Sequence, residues 1–164
     1  MGAVAEVEVG RPESADDAAW VVAACRIEWG GDAMIAGGRT VAFREAEALI
    51  ARAGPEKVGL LTYVIGATEW ELLSVNAFVR NVGVGTALLE RVQQLARAAG
   101  VCKLATVTSN DNLAALRFYQ RRGFRLVSVD VGAVDAARAQ KPTIPLVGRF
   151  GIPLHGELRL EFVL

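Results

Sequence analysis

The chain has 164 residues, 52% of them apolar and 22% charged, the mix of a globular domain long enough to bury a core. Acidic and basic residues balance at 18 each, which excludes the electrostatic footprint of a general DNA-binding or membrane-surface protein. Two cysteines and a single histidine, His155, exclude a disulfide framework and a Cys/His metal cluster, so no metal is expected.

The start of the chain lacks the basic and apolar regions of a secretory signal, and no apolar run approaches the roughly 20 residues of a membrane span. A cytoplasmic, non-membrane protein is expected. Residues 4–9 alternate and read as a strand, and Ser14 or Asp16 caps a helix over about 17–29 that Gly30-Gly31 ends. Met34-Ile35-Ala36 is a short strand, Gly37-Gly38 a turn, and 45–53 a brief helix closed by Gly54-Pro55. Strands are expected at 57–66 and 69–77, then a helix whose apolar positions Leu88, Val92, Leu95, Ala96 and Ala99 follow the helical repeat until Gly100. A strand at 101–108, a helix capped within Ser109-Asn110-Asp111, a strand at 124–131, a helical piece at 135–140 and a last strand at 158–164 complete the chain. Residues 1–164 read as one α/β (α+β) domain, without repeat or linker.

Two motifs carry chemistry. Val79-Arg80-Asn81-Val82-Gly83-Val84-Gly85-Thr86 is an Arg-x-x-Gly-x-Gly turn leading from a strand into a helix. Glycines let the backbone approach a phosphate closely, and a helix N-terminus supplies unpaired N–H groups and a favourable dipole. Thr86 adds a hydroxyl and Arg80 a charge. Further on, Asn112, Ala115 and Tyr119 fall on one helical face ahead of Gly123-Phe124. A Rossmann reading of the first turn fails, because a third glycine would fall at Leu88.

In this order and spacing the two motifs resemble the acetyl-coenzyme-A site of the GNAT superfamily of N-acetyltransferases. The resemblance covers the whole order of elements and implies a mixed central sheet of about six or seven strands flanked by about four helices. It implies acetyl-CoA as co-substrate, lying in a V between the strands at 69–77 and 101–108. The pantetheine arm would pair with backbone near Phe78 and Val79, and the pyrophosphate would rest on Val82, Gly83, Val84, Gly85 and Thr86. Asn112 would hold the cofactor arm or a water, and Tyr119 would protonate the departing thiolate. The phenol suits that role because its ordinary pKa, near 10, keeps it protonated at neutral pH.

An amine acceptor enters as an ammonium and needs a base. The family often uses a glutamate of the strand before the turn; here Glu71 is the first candidate, with Glu69 or a water as alternatives. On a simple alternation Glu69, Glu71, Leu73, Val75 and Ala77 share one face. His155 reads as a surface residue, Cys102 as a small buried one, and Arg117, Arg121 and Arg122 as a solvated helix face. The tryptophans, Trp20, Trp29 and Trp70, read as core or as walls of an acceptor pocket. The acceptor is a small-molecule or protein amine of open identity, and a homodimer is consistent with the family. Two further readings stay open: an idle acyl-CoA-binding domain of this type, and a toxin-like member acetylating aminoacyl-tRNA, against which the neutral charge argues.

Overall fold

The computed structural model describes residues 6–80 and 82–164. Val4 and Ala5 of the expected first strand, and Asn81 of the glycine turn, lie outside the described residues.

The first strand, β1 (Val7–Gly10), leads to α1 (Ala15–Trp29), whose N-cap is Ser14; its hydroxyl accepts from the Asp17 amide at 3.1 Å. Asp17 is buried just inside the helix, between Arg52 at 2.5 Å and Lys57 at 3.0 Å, and accepts from the Glu13 amide. Gly30 closes α1 with a left-handed φ of 67°. A two-stranded ribbon follows, β2 (Ala33–Ala36) and β3 (Arg39–Ala42), outside the main sheet.

Residues Glu47–Ala53 form a strand, β4, where the sequence suggests a helix. The segment is rich in Ala, Leu and Glu, good helix formers, but it is sandwiched between β1 and β5 (Glu56–Ile65). Ala48, Leu49, Ile50 and Ala51 are all buried, because both faces of the sheet are covered here. Burial on both faces erases the alternation that marks a strand, and sheet pairing overrides propensity.

Then come β6 (Glu69–Ala77), α2 (Val84–Ala98), β7 (Lys103–Ser109), α3 (Leu113–Gln120), β8 (Arg125–Asp130), α4 (Ala133–Gln140) and β9 (Glu157–Val163). The main sheet runs β1-β4-β5-β6-β7-β9-β8, and among the described residues only the β6–β7 pair is parallel. A parallel neighbour needs a crossover, and α2 supplies it. Its buried face, Val84, Leu88, Leu89, Val92 and Ala96, seals the larger core with Leu49, Leu61, Tyr63, Trp70, Leu72 and Leu104. Each fully buried leucine or valine contributes about 1.5–3 kcal/mol. The opposite side of the sheet carries a smaller core in which Cys25 and Trp29 of α1 meet Val41, Ala48, Leu60 and Leu73.

One irregularity matters for everything downstream. Tyr63 of β5 faces Leu72, but Thr62 faces Ser74, so Leu73 is an extra residue in β6. Such a bulge shifts the strand's phase. Trp70 and Leu72 pack on the α2 side and so does Val75, three residues on, while Leu73 packs on the α1 side. Ser74 meets the Thr62 hydroxyl at 2.6 Å and Asn76 donates to Glu28 of α1 at 2.8 Å, so both point to the α1 side. Leu73 and Val75 therefore lie on opposite faces, where uninterrupted alternation would put them on one.

Candidate active site

The β6–β7 ladder has only four pairs, from Glu69 opposite Lys103 to Leu72 opposite Thr106. The bulge follows immediately, and past it the strands splay. The Phe78 amide donates to Val58 of β5 at 2.9 Å. Backbone groups of a strand alternate in direction, so those of Val75 and Ala77 face the open side. The gap is a cavity of about 400 Å³ lined by Leu73 to Ala77, Gly85, Thr106 to Thr108, Asn112, Ala115, Phe118 and Tyr119.

At one end of this cleft lies the α2 N-terminus. Gly83 caps it with a φ of 76° and no side-chain hydrogen bond, and the first helical bond runs from Ala87 to the Gly83 carbonyl at 2.9 Å. The amides of Val84, Gly85 and Thr86 precede any intrahelical acceptor. Phe78, Val79, Arg80 and Val82 are exposed beside them. Gly85 has a second reason to be glycine: a Cβ there would stand 2.9 Å from the Phe118 ring.

Arg122 belongs to this end too, although helical spacing puts it on a solvated face. It follows α3, where the chain turns back, and its guanidinium lies 3.9 Å from the Phe118 centroid. It donates to the Thr86 hydroxyl at 2.7 and 3.2 Å and to the Phe118 carbonyl at 3.0 Å. Thr86 is thus engaged by an arginine from another element. Arg117 and Arg121 are exposed, as expected.

At the closed end sits Tyr119, 5% exposed, packed against Phe118 and Phe124 at ring distances of 5.2 and 5.1 Å. Burial pushes its phenol up to about 12, with the Thr106 hydroxyl opposing the shift. Asn112 is the N-cap of α3, accepting from the Ala115 amide at 3.3 Å, and lines the cavity as well.

A second cavity, about 760 Å³, opens on the α1 side. Leu73, Val107, Thr108, Asn112 and Arg149 line both, so the two meet through the splay. Trp29 of α1 and Glu157 of β9 line the larger one, roofed by the segment 141–154. Arg138 holds that roof by donating to the carbonyls of Ile144, Pro145 and Leu154 at 2.6–3.0 Å. Asp111 ties it down from below, accepting from the Arg149 amide at 2.8 Å and the Ser109 hydroxyl at 2.5 Å. Burial works against these bonds, yet the Asp111 carboxyl stays below its ordinary range.

A family model for the acetyltransferase (GNAT) family matches residues 18–124, a span that holds both sides of the splay, the glycine turn and Tyr119. The chain belongs to that family. The Bacillus subtilis protein YxbD, described as uncharacterized, is 43% identical over 103 residues, 63% of this chain and 65% of its own length. The chain thus spans just under two thirds of that relative. A GNAT family acetyltransferase from Elizabethkingia anophelis with acetyl-CoA bound shares the fold, with a TM-score of 0.71, 16% identity and coverage of 96% and 98% of the two chains. So does a Bacillus subtilis acetyltransferase in complex with CoA, with a TM-score of 0.68, 18% identity and coverage of 96% and 97%. GNAT family members are acyltransferases. Among the described residues no helix is long and apolar enough to cross a membrane.

Within this GNAT fold the two glutamates expected as base are both engaged by cations. Glu69 is held by Arg159 at 2.8 Å and Lys103 at 3.1 Å, which also bracket Glu161. Burial raises the Glu69 carboxyl, but these cations outweigh it and hold it below its ordinary value. Glu71 is ion-paired with Arg39 of β3 and lines neither cavity. Cys102 is exposed rather than buried, because it sits in the loop before β7 with its backbone amide on Thr68. His155 is exposed, its Nδ1 3.1 Å from the Val131 carbonyl. Trp70 is core, stacked on Tyr63 at 5.1 Å, and Trp20 meets Phe78 edge-on.

Proposed function

We propose that the protein is an N-acetyltransferase, moving the acetyl group of acetyl-CoA to a primary amine by direct attack in a ternary complex. The observation that carries this is the pair of cavities joined through the β6–β7 splay, with the first-turn amides of α2 at one end and a buried phenol at the other. The fit to acetyl-CoA is physical. Val84, Gly85 and Thr86 present amides to a pyrophosphate, with Arg122 adding a positive charge through Thr86. The outward-facing backbone of Val75 and Ala77 pairs with the amides of the pantetheine arm. The arm then ends at the bulge, beside Tyr119, where both cavities meet.

The acceptor occupies the larger cavity and attacks through the splay. Backbone N–H groups of β6 just past the bulge meet the charge that develops on the carbonyl oxygen. Tyr119, held near 12, is protonated throughout the working range. A thiolate with a pKa of about 8.5 is too weak a base to take that proton outright. The phenol therefore passes a proton: it gives one to sulfur as it takes one from the attacking nitrogen. Two bodies held in register supply the rest of the acceleration.

The test is calorimetric titration with acetyl-CoA, followed by CoA-thiol release with primary amines, on wild type and Tyr119→Phe. Removal of one proton-transfer group lowers kcat by about 10²–10⁴ while leaving acetyl-CoA affinity in place. Absence of acetyl-CoA binding by the folded wild type would refute the reading, as would a wild-type rate in Tyr119→Phe.

A further inference from the structure

The acceptor's ammonium must lose a proton on the α1 side of the sheet, and the two glutamates of β6 are poorly placed to take it. Among the described residues three carboxylates line the larger cavity: Asp111 is taken up by Ser109 and the Arg149 amide, Glu28 accepts from the Asn76 side-chain amide, and the third is Glu157. Glu157 opens β9 opposite Ser109, the last residue of β7. Val107 lines both cavities and pairs with Arg159, so Glu157 is its diagonal neighbour across β9, a separation of about 7–8 Å between backbones. That is one side chain's reach from the junction. Residues 105, 107 and 109 share a face, and so do their partners Glu161, Arg159 and Glu157. Glu157 lines the larger cavity, and Glu71 does not.

Its surroundings leave the carboxylate free to work. The Gly37 amide, from the β2–β3 turn, donates to Oε2 at 3.1 Å. Around it stand Asp130 of β8 and Glu71 of β6, the latter ion-paired with Arg39 of β3; β7 contributes the neutral Ser109. Across the cavity are Glu28, Lys141 and Arg149, with Lys141 donating to the Trp29 carbonyl. Among the described residues Glu157 has no ion-pair partner.

We propose that Glu157 is the general base: it seats the acceptor's ammonium in the larger cavity and takes its proton. This rests on the acetyltransferase reading. The balance is simple. A lone pair on a Glu157 oxygen takes H⁺ from R–NH₃⁺, leaving R–NH₂ and a neutral carboxyl. The nitrogen bonds to the acetyl carbon, the C–S bond breaks, and the second nitrogen proton ends on sulfur by way of Tyr119. Glu157 returns its proton to water, so each turnover releases one H⁺. Burial, with the nearby Asp130 and Glu71 carboxylates, holds the Glu157 carboxyl above the ordinary 4.5 despite the Gly37 amide, which moves a base toward its working range.

The experiment follows CoA release with ethanolamine, lysine, spermidine and a tripeptide with a free N-terminus. Profiles of kcat/KM against pH are taken for wild type, Glu157→Gln and Glu71→Gln, with acetyl-CoA affinity by calorimetry. Glutamine keeps an oxygen for the Gly37 amide, so the local fold is preserved. Glu157→Gln is expected to lose about 100-fold or more in kcat/KM and to lose the acid limb, with acetyl-CoA affinity unchanged. Retention of that limb in Glu157→Gln, or its loss in Glu71→Gln instead, would overturn the assignment while leaving the acetyltransferase reading intact. A wild type that binds acetyl-CoA and acetylates none of the amines would overturn both.

Discussion

Gly85 separates two reasons for a glycine that sequence alone merges. One is close approach of a phosphate; the other is close approach of a ring. A Cβ at Gly85 would lie 2.9 Å from Phe118 Cε2 and 3.2 Å from Cζ. The ring cannot retreat freely, because Arg122 covers one face at 3.9 Å and Tyr119 meets it edge-on. Overpacking of this sort costs about 1–3 kcal/mol. Alanine is up to about 1 kcal/mol better than glycine inside a helix, which offsets part of that. Gly85→Ala should therefore lower the stability of the ligand-free protein by about 1 kcal/mol, or about 2–4 °C in Tm for a chain of this size. Thermal melts of Gly85→Ala, Phe118→Ala and the double variant test it as a cycle. The clash vanishes without the ring, so alanine at 85 should be neutral or stabilising in the Phe118→Ala background, a coupling of about 1–2 kcal/mol. Independent effects of the two substitutions would refute the steric argument and leave ligand approach as the reason for the glycine.

Two further outcomes follow from buried groups. The Asp17 carboxyl is held down to about 2 by the Glu13 amide and Lys57, with Arg52 assisting against burial. A depressed carboxylate stabilises the fold fully above its unfolded value of 3.8 and loses that contribution as the pH falls to about 2. Melts across that range should show the Tm gap between wild type and Asp17→Asn closing toward pH 2; a gap that stays constant would contradict the linkage. Cys25 is buried and its thiol pushed up to about 11, whereas Cys102 is exposed. A chromogenic disulfide should therefore titrate one thiol in the native protein and the second only after denaturation, and two thiols reacting at once would contradict the packing.

The parts of this fold legible in the sequence are those in which local chemistry and tertiary role agree. Ser14 before α1, the repeat of Leu88, Val92 and Ala96 in α2, and the helix-ending glycines at 30 and 100 fall where the sequence puts them. The helix of Tyr119 was legible too, although its cap is Asn112 and not the preceding three residues. Where the two disagree, the reading fails. β4 has a helical composition and a strand's position, decided by its pairing with β1 far upstream as well as with β5 just after it. The bulge at Leu73 has no signature in Leu72-Leu73-Ser74, because an extra residue in a ladder is a property of both strands. Arg122 was misplaced because it lies just past the end of α3, where the helical repeat no longer governs direction. Glu157 carried no signal at all: its setting is assembled from β2–β3, β6, β8 and β9.

The bulge has a consequence of its own. Leu73 acts as a dislocation in the strand: before it the odd-numbered side chains of β6 turn toward α1, and after it the even-numbered ones do. A segment of nine residues thereby writes two unrelated surfaces in two different phases, with the splay at the point of change. The side chains at 69 and 71 and those at 74 and 76 turn to the same side of the sheet, though no single alternation joins them, and only the second pair lines the cleft. An alignment that slips by one residue here would exchange the side chains of the two faces of the sheet.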